Sequence, residues 1–266
     1  MTDLPFPRPD AGRAGKRATL WSVWGWFVFG AACIVLLPVM AVVRVVTAPF
    51  DKGRYWTGYI FRQVPVIQQK LLPLWKFHVT GDLPTDPRRP YIAVANHESF
   101  VDILLISHLP WEMKWLSKEQ LFSLPIAGWM MRLAGDIEVV RGNKDSAKNA
   151  MAECKVWLDR KVSVMIFPEG TRVEDEGLAP FKDGAFRLAI ETGVPLLPMV
   201  VTGTKTAMRK GDWRFRRAEA TVDVLPPVEV DGLTLDDVAT LREQVRDLMS
   251  AALEELTAGT DGPGRD

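Results

Sequence analysis

No charged residue occurs from Ala18 to Val43. As a helix this stretch would be about 39 Å long, more than a hydrocarbon core of about 30 Å requires. A cleaved signal peptide would be shorter and would end in a small-residue cleavage site, which is missing before Arg44. Pro38 falls inside the run and would kink or divide it, so a helical hairpin dipping into one leaflet competes with a single span. Arg8, Arg13, Lys16 and Arg17 precede the run, and Arg44, Lys52, Arg54 and Arg62 follow it. The positive-inside count is therefore tied. Two basic flanks fit two ends on the cytoplasmic face, which favours a re-entrant or monotopic anchor. In the next segment Trp56, Tyr59, Ile60, Val64, Ile67, Leu71, Leu74 and Trp75 recur at helical spacing between Arg62, Gln63, Gln69 and Lys70. This predicts either an interfacial amphipathic helix or one whose apolar stripe packs on a globular domain.

Beyond Lys76 the rhythm changes. Phe77–Thr80, Tyr91–Ala95, Ile137–Val140, Val162–Phe167, Leu196–Val201 and Ala220–Leu225 read as strands. Ser99–His108, Leu121–Leu133, Asp145–Asp159, Gly184–Glu191 and Asp236–Leu256 read as helices between or after them, the last opening on Thr234 and Asp237 at capping-box spacing. The alternation predicts an α/β domain with a mostly buried sheet flanked by helices. The expected organisation is a disordered basic N-terminus over 1–17, a membrane anchor with its amphipathic helix over 18–75, a catalytic domain over 76–256 and a disordered tail over 257–266.

Composition narrows the function. Lys and Arg together number 33, equal to Asp and Glu, so there is no global field to draw a polyanion, and nucleic acid is not an expected partner. Two cysteines, Cys33 and Cys154, make neither a disulfide framework nor a Cys-rich metal site. Ten tryptophans, four of them among residues 21–56, strengthen the membrane reading.

Three histidines limit the search for a base. His78 sits within a strand and His108 ends an apolar helix, both packing or surface positions. His97 follows the strand Tyr91–Ala95 in Asn96-His97-Glu98-Ser99-Phe100-Val101-Asp102, at the strand-to-helix turn where α/β domains place catalytic groups. Five residues apart on one helix would face away from each other, so His97 and Asp102 meet only if His97 stays in the turn. Asp102 would then fix one imidazole nitrogen and leave the other as a base. The competing reading is an N-terminal cap, with Ser99 capping and Asp102 answering the helix dipole. A second turn, Pro168-Glu169-Gly170-Thr171-Arg172, follows the strand Val162–Phe167, and Arg141 follows Ile137–Val140, with Lys182 ten residues past Arg172. Arginines directly after apolar strands suit an anion, because the guanidinium fork gives paired charge-assisted hydrogen bonds. A basic run, Arg209, Lys210, Arg214, Arg216 and Arg217 with Trp213 and Phe215 between, fits anionic headgroups, an acidic carrier protein or a plainly solvated hairpin.

The His97–Asp102 block and Phe167-Pro168-Glu169-Gly170-Thr171-Arg172 resemble the catalytic and phosphate-binding blocks of the glycerolipid acyltransferases. Gly135–Arg141 and Val194–Pro198 resemble two further blocks of that family, in the same order. Glu-Gly-Thr-Arg is similar to the form found in its 1-acylglycerol-3-phosphate acyltransferases. The resemblance implies an acyltransferase-like fold with a mixed sheet. It also implies transfer from acyl-CoA or acyl carrier protein to a lysophospholipid at the membrane, with the catalytic domain on the cytoplasmic face. His97 and Asp102 would be catalytic, and Glu169, Gly170, Thr171, Arg172, Arg141 and Lys182 would bind substrate. No metal and no cofactor beyond the thioester co-substrate is implied. Backbone groups near Gly170 are candidates for an oxyanion site, and Glu169 for orienting Arg172 or a glycerol hydroxyl. The alternatives are another lysolipid acceptor, including a lyso-aminolipid, or a non-catalytic membrane-anchored lipid-binding protein.

Overall fold

The computed structural model describes residues 16–173, 177–209 and 211–260. The anchor is one uninterrupted helix, α1 (Lys16–Thr47), with Pro38 inside it, so the proline does not divide the run. Pro38 lies on the exposed side, where its missing N–H costs no packing. α1 alternates by burial rather than by polarity: Ser22, Gly25, Val28, Ala32, Cys33 and Met40 are buried, while Leu20, Val23, Phe27, Ile34, Val39 and Val46 are exposed. Apolar residues on both faces call for an apolar medium on the outer one. By length and composition α1 suffices to cross a membrane.

α2 (Tyr55–Leu71) returns along α1. Gln68 Nε2 donates to the Gly25 carbonyl at 3.1 Å and Trp24 Nε1 to the Leu71 carbonyl at 3.0 Å. One face of this segment packs on the protein, while its Trp56 and Leu71 remain exposed. Tyr55, Gly58, Arg62, Val64, Pro65 and Gln68 are all buried, with Val64 clustered against Met40 of α1 and against Met130.

The domain is a seven-stranded mixed sheet. Its strands are β1 (Trp75–Gly81), β2 (Ile92–Ala95), β3 (Met113–Lys118), β4 (Ile137–Val139), β5 (Ser163–Ile166), β6 (Leu196–Thr202) and β7 (Ala218–Val224), in the order β1-β7-β6-β2-β5-β3-β4. All neighbours pair in parallel except β6 and β7. Both faces are covered, as the strands' apolar runs require. Ile92, Val94, Val164 and Val200 face α6 (Lys144–Asp159), α7 (Gly184–Thr192) and α9 (Val238–Thr260), whereas Ala93, Ala95, Met165 and Val201 join Leu105 and Ile106 of α3 (Val101–Ile106).

Sequence and structure part in four places. β3 was not foreseen. The expected helix Leu121–Leu133 is two pieces, α4 (Glu119–Phe122) and α5 (Ala127–Ala134), because Pro125 and the left-handed Ile126 (φ 62°) interrupt it. The expected Ser99–His108 helix is trimmed to the six residues of α3. The last helix opens on a 3₁₀ turn fixed by the Thr234–Asp237 capping box and continues to Thr260, past the anticipated start of the tail. Residues 1–15 and 261–266 of the two expected tails lie outside the described residues.

A buried ionic cluster joins the anchor to the sheet. Arg62 of α2 pairs with Asp136 and, at 3.4 Å, with Glu112, whose other oxygen receives Lys114 Nζ at 3.0 Å. Lys114 also donates to the Arg54 carbonyl at 3.1 Å. Two cations answer two anions, so removal of one partner leaves an uncompensated buried charge. Arg62→Met is therefore expected to cost about 3–5 kcal/mol. Thermal unfolding in detergent measures this directly, and a midpoint equal to that of the parent would remove the cluster from the list of what holds the anchor on.

Candidate active site

In the parallel part of the sheet, β2, β5, β3, β4 and β6 all end on one edge, and the turns that follow them build the site. After β2, Asn96 continues the ladder with its side chain: Nδ2 donates to the Val201 carbonyl at 2.8 Å and Oδ1 accepts the Val201 N–H at 2.7 Å. That pair stops the strand and fixes where His97 leaves the sheet.

His97 is 8% exposed, and its ring stacks on Phe167 at 4.0 Å between centroids. Its Nδ1 meets Asp102 Oδ2 at 2.8 Å. The same oxygen accepts the Glu98 and Ser99 N–H groups at 2.7 and 2.9 Å, and the Thr204 hydroxyl donates to Asp102 Oδ1. The capping and catalytic readings are thus one arrangement: Asp102 collects the free N–H groups at the start of α3 and binds the imidazole with the same atom. Ser99 contributes as well, its Oγ accepting the Val101 N–H at 3.3 Å. Four donors thus satisfy the fully buried carboxylate. They also fix the tautomer, with the proton on Nδ1 and Nε2 free to accept one.

Glu169 supports the turn from β5. Instead of reaching Arg172, its Oε2 accepts the His97 backbone N–H at 3.1 Å, while Oε1 is buried without a hydrogen-bond partner among the described residues. Burial pushes this carboxyl up to about 7, against the pull of the His97 backbone donor. The Gly170 N–H closes the turn onto the Phe167 carbonyl at 3.0 Å, so this donor is committed and does not serve an oxyanion. Gly170 suits the turn because its φ is +75°, and the space a Cβ would take there is filled by the Lys182 side chain, whose Nζ lies 2.3 Å from that position. Lys182 therefore folds its ammonium over the Glu169–Gly170 turn. Thr171 is exposed and Arg172 half-buried. The Val173 N–H donates to the His97 carbonyl at 2.8 Å, which places Arg172 next to the histidine turn.

Arg141 leaves β4 at the same edge, exposed, but β5 and β3 stand between it and β2, about 14 Å at the usual strand spacing. It does not share a contact with His97. Lys118, which ends β3 between them, was not found from sequence because β3 itself was not. The edge thus carries a row of cations: Lys182 and Arg172 after β5, Lys118 after β3 and Arg141 after β4. His78 and His108 stay outside the site. His78 pairs with Glu219 on the surface at 3.0 Å, and His108 bonds the Leu104 carbonyl at 2.8 Å.

Two further residues escaped the sequence reading. Thr204, which opens α8 (Thr204–Ala207), is fully buried and lies 102 positions from the Asp102 it binds. Glu98, 3.4 Å from the Thr204 hydroxyl, is pushed up to about 7, first by burial and then by Asp102. Its ordinary value is 4.5, so between pH 4.5 and 7 the native state holds a proton that the unfolded chain has lost, and stability falls as pH rises through that window. Glu98→Gln does not titrate. It is expected to unfold at a higher temperature than the parent above pH 7, with the difference vanishing below pH 4.5. A pH-independent difference would refute this.

Residues 76–202 match the family model described as Acyltransferase. Human 1-acyl-sn-glycerol-3-phosphate acyltransferase alpha is 34% identical over 242 residues, covering 90% of this chain and 81% of that protein. The 1-acyl-sn-glycerol-3-phosphate acyltransferase of Limnanthes alba is 30% identical over 244 residues, covering 90% and 85%. The crystal structure of the 1-acyl-sn-glycerophosphate (LPA) acyltransferase PlsC from Thermotoga maritima superposes with a TM-score of 0.76 at 24% identity, covering 94% of this chain and 98% of that one. The last confirms the fold, anchor helices included. Shared sequence along nine-tenths of the chain decides the rest: this protein belongs to the glycerolipid acyltransferase family and is an O-acyltransferase.

Proposed function

We propose that the enzyme transfers an acyl chain from a thioester, acyl-CoA or acyl carrier protein, to the free hydroxyl of 1-acyl-sn-glycerol 3-phosphate, forming phosphatidic acid. The observation that carries this reading is the His97–Asp102 pair, with Nδ1 tied to a buried carboxylate and Nε2 uncommitted, beside a row of cations along one sheet edge. A hydroxyl is too weakly acidic to attack unaided. His97 Nε2 takes its proton as the oxygen bonds to the thioester carbonyl carbon, and Asp102 stabilises the imidazolium that results. Collapse of the tetrahedral intermediate breaks the carbon–sulfur bond and releases the thiolate, which recovers the proton from the imidazolium. No acyl-enzyme is needed. Arg172 holds the acceptor phosphate, and Lys182, Lys118 and Arg141 extend the same anionic track toward the donor.

An apolar cavity supports a lipid substrate. It runs between Phe29 of α1, Phe61 of α2, Ile103 of α3 and Met131 of α5, with Trp115 also on its wall. It therefore joins the anchor to the helix that carries Asp102, as an acyl chain entering from the membrane requires. The anchor favours one leaflet. Near its start, Ser22 and Phe215 exchange hydrogen bonds, and toward its end Met40 clusters with Met130 and Ala134 of α5, so α1 lies along the domain. A perpendicular span would carry the part of the domain packed along α1 into hydrocarbon. Soluble thioesters then put the site at the cytoplasmic surface.

Purified protein assayed with each donor against a panel of lysolipids tests the reading. His97→Ala is expected to lose about 10²–10⁴-fold in kcat. Thr204→Val is expected to lose about tenfold, the worth of one hydrogen bond to a charged group, with acceptor KM nearly unchanged and Thr204→Ser largely restoring the rate. Arg172→Ala is expected to raise KM for the phosphate-bearing acceptor, because that grip is made in ground and transition states alike. Preference for a phosphate-free lysolipid in the parent enzyme would overturn the acceptor assignment. A rise in thioester KM alone in Arg172→Ala would transfer that residue to the donor.

A further inference from the structure

The loop between α8 and β7 contains five basic residues and one acid within 209–217, together with Trp213 and Phe215, and the acyl-transfer chemistry uses none of them. Its ends are closed by the Arg216 N–H donating to the Ala207 carbonyl at 2.9 Å. Its middle is bolted to the anchor. Trp26 Nε1 of α1 donates to the Trp213 carbonyl at 2.9 Å, the Phe215 N–H donates to Ser22 Oγ at 2.7 Å, and the Phe215 ring stacks on Trp26 at 4.9 Å while meeting Trp75 edge-on at 4.8 Å. Gly25 permits the approach: a Cβ there would lie 2.9 Å from the Phe215 ring.

The loop is thus held rigidly beside the first turns of α1, yet it leaves Trp213 49% exposed. Asp212 is occupied by Arg214 at 2.9 Å and Arg216 at 3.4 Å. Arg209 and Arg217 are exposed and have no ion pair among the described residues. Over the same turns of α1 that hold Trp213 and Phe215, Leu20, Trp21 and Trp24 are exposed, and Arg17 stands at the helix start. A protruding tryptophan with Arg209 and Arg217 on either side, both without an ion pair among the described residues, held against Trp26 of a long apolar helix, has the composition of a membrane–water boundary.

From this placement we propose that the 209–217 loop is a second membrane-contacting element, which inserts Trp213 at the headgroup level and binds anionic lipid headgroups through Arg209 and Arg217. The occupant is lipid rather than an acidic protein because the loop is continuous with a face already committed to lipid. The proposal rests on α1 lying in the bilayer and is independent of which lysolipid is acylated. By pinning the domain's rotation about α1, the contact would hold the sheet edge that carries His97 at the bilayer surface.

A polarity-sensitive fluorophore on Trp213→Cys in the full-length protein tests it, since Cys33 and Cys154 are both buried and the unlabelled parent reports any background. With vesicles of phosphatidylcholine mixed with phosphatidylglycerol, the emission should shift to the blue and brighten. The shift should weaken with phosphatidylcholine alone and with added salt, and Arg209→Gln and Arg217→Gln should each raise the anionic lipid needed by about fivefold. Co-sedimentation is measured on the same samples. Protein that sediments with both vesicles while the probe keeps its aqueous emission overturns the proposal and leaves the anchor standing. Protein that sediments with neither overturns both. A response to acyl carrier protein in detergent, without one to anionic vesicles, would reassign the loop to donor docking.

Discussion

Burying the Asp102 carboxylate beneath His97 is the constraint that the rest of the site satisfies. A charge with no exposure is tolerable only if every lone pair is used, and Asp102 draws its donors from the histidine, from two backbone N–H groups before α3 and from a threonine after β6. These partners come from the ends of β2 and β6, and the end of β5 supports the histidine turn from behind. β2 must stop at Asn96, β6 must turn sharply at Gly203, where φ is +83° and a Cβ would clash with the Glu219 carbonyl, and β5 must deliver Glu169 to the His97 backbone. The sheet order places β2 between β5 and β6, so a topological switch point is where these three demands are met together.

The strands and helices that sequence revealed are those whose burial is simple. Ile92–Ala95, Ser163–Ile166 and Leu196–Val201 are apolar because both faces of the sheet are covered, and they read as strands without ambiguity. β3 hid because its start, Glu112-Met113-Lys114, is charged and yet buried. Glu112, just before β3, is answered by Lys114 and also by Arg62, fifty positions earlier, and no local pattern reports a partner at the latter distance. Ile126 likewise broke a helix at a residue whose type argues for continuity. In the site, the His97–Asp102 spacing was legible because both ends belong to one turn, and the Glu169–Arg172 turn because it follows an apolar strand. Thr204 was not legible, since a single threonine carries no signal until the sheet brings it across. Of the two partners expected for Glu169, Arg172 and a glycerol hydroxyl, the structure does not show the first: Oε2 accepts the His97 backbone N–H instead.

The anchor shows a related division. An apolar run long enough to span is unmistakable, but whether it spans depends on what it touches. Its inner face carries the small residues Ser22, Gly25 and Ala32, which with buried Val28 recur at spacings of three and four, the signature of a helix docked on a partner rather than surrounded by lipid. In an all-apolar helix that signature is faint, because both faces score alike on any hydropathy scale.

The ionic cluster at Arg62 and the dyad at His97 are linked through the cavity between them. Arg62 and Asp136 face the same apolar space as Ile103 and Leu104 of α3, so the wall that holds the anchor also backs the helix that carries Asp102. Salt bridges in such a place contribute little net stability against well-packed apolar residues. What they impose is a single register of α2 on β3 and β4, because any slip would leave a buried charge without its counterion. On the proposed reading, with the acceptor in a bilayer and the donor in water, that register matters more than stability, because a shift of α2 would displace α1, which packs along it, relative to the His97 turn.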